Sequence, residues 1–355
     1  ATFVNFSLTD DQEAIKRTAR EFLAARYKPE EMRRLATEEE RGFTDEQWSQ
    51  VAELGWPGLV VSEADGGLGL GVVELAVVQE ELGYALAPTP FLSDAAAALL
   101  LTGADGEVRT QFLAPLASGE KRGTVAAVNG DEPLAVDGSR LTGTKVAVPD
   151  AASADFIVVA APGGAHLVVE READGVSVEP TESLDPTRKL YSVRFDGVEG
   201  TPLGADDNAI ERANDAIAVA LAAESVGVAQ RTLEMAVAYA KERKQFGRPI
   251  GAYQAVSHMC AQMLLETEGA RAITLYAAWA LDHEPQTGPL ASSMAKAYAS
   301  DAGWRVPGQA LQVLGGIGFT WEHDLHFFLK RGKANAHTWG DARWHRERVA
   351  ELAGV

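Results

Sequence analysis

The feature that most constrains this chain is a short break between two long helical patterns, at residues 241–251. Before the break, Val226, Leu233 and Ala240 belong to an apolar series with spacings of three and four, which predicts an amphipathic helix. The same period resumes after the break, from Val256 onward. Glycine and proline inside the break stop the first helix and free the backbone to turn. The sequence therefore predicts two long helices joined by an irregular loop.

The remaining patterns predict a mainly α protein with a central β-domain. Helical patterns cover about 207–242, 251–282, 286–313, 321–333 and 340–352, and antiparallel helices of this length make a four-helix bundle. Between residues 123 and 203, seven short β-prone runs alternate with turn sequences, which predicts a compact β-domain. Helical patterns precede it, and Gly83 is expected to end the helix that begins near Val72. The predicted domains are 1–120 (N-terminal helical domain), 121–205 (middle β-domain) and 206–355 (C-terminal helical bundle).

Charge and composition exclude several classes of function. The net charge of −19 argues against nucleic acid as a partner, because phosphate binding needs a basic surface, and it disfavours docking on anionic membranes. No apolar run reaches the roughly 20 residues of a membrane span, and no secretory signal is apparent at the N-terminus. The expected location is therefore cytoplasmic. The single cysteine, Cys260, excludes an internal disulfide, and no histidine spacing predicts a metal site.

Two loops carry residues suited to an anionic, flat ligand. In the first, the guanidinium of Arg243 can meet a phosphate while Phe246 covers a planar group. In the second, Gln312 precedes three glycines within four residues, and their missing side chains permit close backbone approach. Taken alone, the first loop also fits a plain helix connection with solvated charges.

Together the loops resemble the acyl-CoA dehydrogenase family, which carries an R-x-x-F-G loop and a downstream Q-x-x-G-G-x-G loop. The resemblance implies an N-terminal helical domain, a middle β-barrel and a C-terminal four-helix bundle. It also implies FAD as cofactor, an acyl-CoA thioester as substrate and electron-transfer flavoprotein as electron acceptor. In the family, a carboxylate takes the α-proton and hydride passes to the flavin. The implied cofactor-binding residues, in loops that reach a neighbouring subunit's FAD, are Arg243, Gln245, Phe246, Gln254, Gln312, Gly315, Gly316 and Gly318.

The chain departs from the family where the chemistry takes place. Trp339 stands where the family commonly has its basic glutamate, and Ile217 stands at the alternative position for that base. Asp341 is a weak candidate for a displaced base, and a helix N-cap is the plainer interpretation of it. The flavin-facing T/S-E-P-x-x-G-S-D pattern is missing from residues 126–133. The W-I-T or W-I-S strand is replaced by residues 146–150, which contain no aromatic side chain.

Three interpretations follow from this division. The first is the shorter, base-lacking subunit of an α2β2 acyl-CoA dehydrogenase, which completes the FAD site of a homologous catalytic partner. The second is a self-sufficient homotetramer that uses a displaced base such as Asp341, and the third is a purely structural subunit without flavin. The sequence leaves open whether the substrate belongs to fatty-acid or to sterol side-chain β-oxidation. A weaker basic candidate for CoA is formed by Arg343, His345 and Arg346.

Overall fold

The structure is a computed structural model and describes residues 7–355. Its first helix begins after Thr9, where the Thr9 side chain and the Gln12 side chain each bond the other's backbone N–H in a capping box. The α-helices are α1 (Asp10–Arg26), α2 (Pro29–Thr37), α3 (Asp45–Glu53), α4 (Val72–Ala85), α5 (Phe91–Thr102), α6 (Gly106–Val108), α7 (Ala114–Ala117), α8 (Asp207–Glu242), α9 (Gln254–His283), α10 (Gly288–Leu314), α11 (Leu325–His337) and α12 (Ala342–Ala353), with a π-helix at Arg109–Leu113 between α6 and α7.

The long C-terminal helices lie close to their predicted bounds, because they are rich in alanine and keep an apolar face. One buried cluster joins α4, α8, α9 and α10 and consists largely of alanines, such as Ala222, Ala277 and Ala295. Small side chains allow helix axes to approach closely. Gly83 does not end α4 as expected. A Cβ atom there would lie 2.1 Å from the Glu224 carbonyl oxygen, so this glycine lets α4 cross α8.

The strands of the central region are β1 (Gly123–Ala126), β2 (Val128–Asn129), β3 (Ala135–Asp137), β4 (Arg140–Pro149), β5 (Phe156–Ala160), β6 (His166–Glu170), β7 (Val176–Thr181), β8 (Leu190–Glu199) and β9 (Thr201–Pro202). They form one sheet in the order β1-β5-β6-β9 and a second in the order β2-β4-β8-β7, with β3 also paired to β4. Side chains from both sheets, including Ile157 and Val193, share one hydrophobic core. The predicted central β region is thus confirmed, in the form of two sheets packed on each other.

The chain divides into two compact units that are each discontinuous in sequence. The first contains Ala1–Arg33 (described from Ser7 onward), Val72–Ala87 and Ala218–Val355, and the second contains Arg34–Gly71 and Pro88–Ile217. The first unit holds most of the long helices and the second holds both sheets. Because the N-terminal helices are shared between the units, the division into three consecutive domains stays a prediction.

Within the part of the chain that the structure describes, one helix, α8, is long and apolar enough to cross a membrane by length and composition alone. Of its most apolar 18-residue window, 89% is buried inside the protein. This burial is the behaviour of a core helix, whose apolar residues face other helices rather than lipid.

Candidate functional site

The break between α8 and α9, predicted as an irregular loop, is a small β-hairpin. Its strands are β10 (Lys244–Gln245) and β11 (Arg248–Pro249), paired antiparallel. The two residues between them, Phe246 and Gly247, have φ angles of +50° and +82°. Two consecutive left-handed residues form the tight turn that suits a hairpin. Strands of two residues are too short for an alternating pattern, so the sequence does not predict the hairpin.

Tyr253 braces the hairpin from its base. Its hydroxyl donates a hydrogen bond of 3.1 Å to the Gln245 carbonyl oxygen. The Arg248 guanidinium lies 4.1 Å above the Tyr253 ring, and the Phe246 ring meets it edge-on with 6.4 Å between centroids. Gln254, the first residue of α9, is exposed next to this brace. The hairpin therefore has a defined shape although it projects from the bundle.

The tip of the hairpin is both apolar and positively charged. Phe246 is 92% exposed, an unusual state for a phenylalanine at a defined turn. Lys241, Arg243 and Lys244 are exposed beside it, and none forms an ion pair with any residue of the described part of the chain. On a protein with a net charge of −19, this local concentration of unpaired cations suits an anionic ligand.

The glycine-rich loop continues directly from the end of α10. Gly315 leaves the helix with φ +65°, and Gly315–Phe319 form a single 3-10 turn. Gln312 and Gly316 are exposed, and a Cβ added at Gly316 would meet no atom within 4 Å. Phe319 is 71% exposed. The loop thus presents open backbone together with an aromatic side chain.

The hairpin and the glycine-rich loop lie at the same end of the helical bundle. Ala240 at the end of α8 and Leu314 at the end of α10 belong to one buried cluster, and Ile250 after the hairpin packs against it. A single core therefore supports both loops. Residues 75 positions apart in sequence, Arg243 and Gly318, are in this way brought to one end of the molecule.

At the position where the resemblance places the family's basic glutamate, the chain has a half-buried tryptophan. Trp339 has φ +60° and is followed by Gly340 with φ +86°, so the turn before α12 contains two left-handed residues. Ile217, at the alternative base position, is 2% exposed inside α8. Neither side chain accepts a proton.

Asp341 serves as the N-cap of α12. Its carboxylate accepts a hydrogen bond of 2.8 Å from the Trp344 backbone N–H. That bond lowers the pKa of the exposed Asp341 carboxyl. A general base for a weakly acidic carbon needs the opposite, a raised pKa in a dry site. The geometry accounts for Asp341 as a helix cap.

The burial of three polar residues in these regions cannot be predicted from the sequence, because residue type does not show which side chains are buried. Lys296 and His345 lie beneath the Trp339 turn, and Lys145 lies in the β region. His345 is only 2% exposed, so it does not join Arg343 and Arg346 in a surface patch, as the sequence had suggested.

Lys145 fixes the segment where the family places its flavin-facing residues. The Lys145 ammonium donates to the Ala127 carbonyl oxygen at 3.2 Å and to Asn129 Oδ1 at 2.7 Å. Burial lowers the pKa of Lys145 to about 8. Immediately after it, β4 contains an irregularity at which Ala147 adopts φ +53°. Residues 127–129 of this β region are thus held by the buried side chain of Lys145.

Comparison with known proteins identifies the family. The profile described as "Acyl-CoA dehydrogenase, N-terminal domain" matches residues 9–120, and the profile described as "Acyl-CoA dehydrogenase, C-terminal domain" matches residues 209–353. Acyl-CoA dehydrogenase IpdE2 of Mycolicibacterium smegmatis is 33% identical over 353 residues, covering 96% of this chain and 98% of that protein. Acyl-CoA dehydrogenase FadE34 of Mycobacterium tuberculosis is 35% identical over 360 residues, covering 98% of this chain but only 49% of FadE34.

Two solved structures share the fold over nearly their whole length. The ChsE4-ChsE5 complex from Mycobacterium tuberculosis has a TM-score of 0.91 at 27% identity, covering 99% of each chain. A variant of the Tcur3481-Tcur3483 steroid ACAD has a TM-score of 0.89 at 30% identity, covering 97% of this chain and 98% of the other. The matching family profiles and the relatives define the class of protein as an FAD-dependent oxidoreductase. The chain belongs to the acyl-CoA dehydrogenase family.

Proposed function

We propose that this chain is the base-lacking subunit of a two-chain acyl-CoA dehydrogenase and that its two loops complete the FAD site of a homologous catalytic partner. The observation that carries the proposal is the exposed hairpin tip, where the Phe246 ring is 92% exposed and the exposed Arg243 forms no ion pair with any described residue. The partner would supply the proton acceptor and the surroundings of the flavin ring.

The loops fit the adenine and pyrophosphate end of FAD. Arg243 offers a planar fork of donors to phosphate oxygens, and the aromatic rings of Phe246 and Phe319 offer apolar contact to a flat base. Open backbone at Gly316 permits close approach. Bound FAD supplies the hydride acceptor in this family. These loop residues would bind and orient it, and they would exclude water from its anionic end.

The chain's own site does not fit the reactive end of the reaction. Trp339 and Ile217 stand at the two base positions, and Asp341 is a solvated cap with a lowered pKa. Removal of an α-proton requires an acceptor within hydrogen-bond reach of the carbon. In the β region, Lys145 donates hydrogen bonds to Ala127 and Asn129. These residues belong to the segment whose polar groups face the flavin in the family. These losses favour division of labour over a self-sufficient homotetramer.

The comparisons support a paired assembly and a steroid-type acyl group. One structural neighbour is a complex of two named chains, ChsE4 and ChsE5, and another is named a steroid ACAD. FadE34 has about as much length outside the match as inside it. We propose a steroid-derived acyl-CoA thioester as substrate. A fatty acyl-CoA is the alternative, and electron-transfer flavoprotein is the proposed electron acceptor.

Co-expression with the homologous partner tests the proposal through flavin stoichiometry. We expect about half an FAD per chain in the complex and none in this chain alone. One FAD per chain together with turnover by this chain alone would instead establish the self-sufficient enzyme. A colourless complex that dehydrogenates no acyl-CoA would establish the structural subunit.

The variant Arg243→Ala addresses the loop directly. We expect the free energy of FAD binding to the complex to weaken by about 1.5–3 kcal/mol, which is the loss typical of a hydrogen bond to a charged group. The matched control is Arg140→Ala, which removes an exposed arginine of β4 that pairs with Glu199. Full FAD occupancy in the Arg243→Ala complex would remove the role proposed for the hairpin.

A further inference from the structure

A buried lysine joins three segments beneath the Trp339 turn. Lys296 of α10 is 1% exposed. Its ammonium donates to Ser300 Oγ at 2.9 Å, to the Asn335 carbonyl oxygen at 3.0 Å and to the Gly340 carbonyl oxygen at 3.0 Å. A lysine this deeply buried is rare and requires partners for its polar hydrogens. Lys296 therefore connects its own helix to the end of α11 and to the turn before α12.

A buried histidine holds the adjacent carbonyl of the same turn. His345 Nε2 lies 2.9 Å from the Trp339 carbonyl oxygen, and because a carbonyl only accepts, Nε2 carries the proton. Burial lowers the pKa of His345 to about 4, so the ring is neutral and Nδ1 accepts from Ser293 Oγ at 3.3 Å. Ser293 Oγ in turn accepts from Arg348 at 2.9 Å. Each of the two turn carbonyls thus receives a bond from a buried side chain.

The turn is held by hydrogen bonds to its backbone carbonyls. Two left-handed residues in succession are costly for a non-glycine residue such as Trp339 and need external support. A Cβ added at Gly340 would lie 2.8 Å from the Trp344 ring and 2.9 Å from His345 Nε2. Among the described residues, the Trp339 side chain has no hydrogen bond, whereas its carbonyl does.

We propose that Lys296 and His345 are positioning residues that fix the Trp339–Gly340 turn and so set the direction of the side chain at the family's base position. The correspondence between Trp339 and the family's base rests on the proposed function, whereas the anchoring of the turn does not. The anchoring does not require a fixed charge on Lys296, whose pKa burial lowers to about 7. A neutral amine can still donate to both carbonyls while accepting from the Ser300 hydroxyl.

The test compares two variants of one residue by hydrogen exchange of the folded protein. His345→Gln keeps a donor near the Nε2 position, and His345→Phe removes it while keeping a ring. We expect amides in residues 336–344 to exchange about tenfold faster in His345→Phe, the effect of losing one hydrogen bond of about 1.4 kcal/mol. His345→Gln should restore slow exchange, and Lys296→Met should behave like His345→Phe.

Uniformly faster exchange in α9 as well as in residues 336–344 would indicate general destabilisation and overturn the inference. An effect of His345→Gln equal to that of His345→Phe would do the same. If Lys296→Met does not fold, the His345 pair alone decides the outcome.

FAD content separates this inference from the proposed function. Lys296 and Gln312 lie 16 residues apart on α10, a distance of about 24 Å along a helix. The His345→Phe complex should therefore retain wild-type FAD. Loss of FAD in that variant would mean that the cluster supports the loops rather than the turn, and would overturn the inference. Absence of FAD from the wild-type complex would instead contradict the proposed function.

Discussion

Arg331 of α11 donates a hydrogen bond of 2.7 Å to the Glu224 carboxylate of α8, and neither side chain is more than 4% exposed. Asn335, one helical turn further along α11, donates to the other carboxylate oxygen at 2.8 Å. A carboxylate taken out of water is stable only when its lone pairs are satisfied. The two donors therefore fix the register of α11 on α8.

Arg331→Met should destabilise the fold strongly, because it removes the charge that compensates the buried Glu224 carboxylate. We expect a loss of about 3–5 kcal/mol in the free energy of unfolding, measured by urea denaturation. The matched control is Arg343→Met, which breaks the exposed pair with Glu347 on α12. That control should cost about 0.3–0.5 kcal/mol, as exposed helix pairs do. Equal losses of stability in the two variants would contradict the role of Arg331 in compensating the buried Glu224 carboxylate.

Phe246→Gly should separate folding from FAD retention. Glycine adopts the left-handed turn without strain, so the stability of the isolated chain should not fall. The complex with the partner should nevertheless lose FAD, because the exposed ring has been removed. The thermal midpoint of the chain and the flavin absorbance of the complex are the two measurements. An unchanged flavin content would show that the ring has no part in holding the cofactor.

The sequence predicts helices well where a regular apolar period determines them. It predicts them poorly at a glycine, which can either end a helix or let two helices cross. The helix 207–242 was placed at its observed bounds because its apolar period is regular. The sequence predicts Gly83 as a helix end, but in the structure Gly83 permits α4 to cross α8, and only the position of the neighbouring backbone distinguishes the two roles. The buried roles of Lys296 and His345 were not predictable, because a sequence does not show which polar side chains lose contact with water.

Asp341→Asn should leave both stability and activity of the complex unchanged. Asparagine caps a helix about as well as aspartate but does not accept a proton at neutral pH. Asp341→Ala should lower the free energy of unfolding, because the Trp344 N–H loses its acceptor. Steady-state turnover of the co-expressed complex is the decisive measurement. Loss of turnover in Asp341→Asn with unchanged folding would revive the displaced-base hypothesis.

Acid should weaken the fold through His345. Burial lowers its folded-state pKa from 6.5 to about 4, so between these values the unfolded chain binds more protons than the folded one. The contribution of His345 to stability is therefore fully present above pH 6.5 and is lost as the pH falls toward 4. The free energy of unfolding should fall less steeply over this window in His345→Gln than in wild type. Parallel profiles of the two proteins would contradict this account.

Gly227→Ala should destabilise the protein although alanine is the better helix former. Gly227 lies in α8, where an added Cβ would stand 1.9 Å from the Glu80 carbonyl oxygen and 2.6 Å from the Tyr84 amide nitrogen of α4. Backbone atoms at those distances cannot yield, so the helices must separate. The gain of about 1 kcal/mol in helix propensity is then outweighed by overpacking that typically costs about 1–3 kcal/mol and here falls at the upper end.

Gly308→Ala is the matched control, because it lies within α10 and its added Cβ meets no atom within 4 Å. Urea unfolding should show a loss for Gly227→Ala and no loss for Gly308→Ala, since only the first site lies where two helix backbones touch.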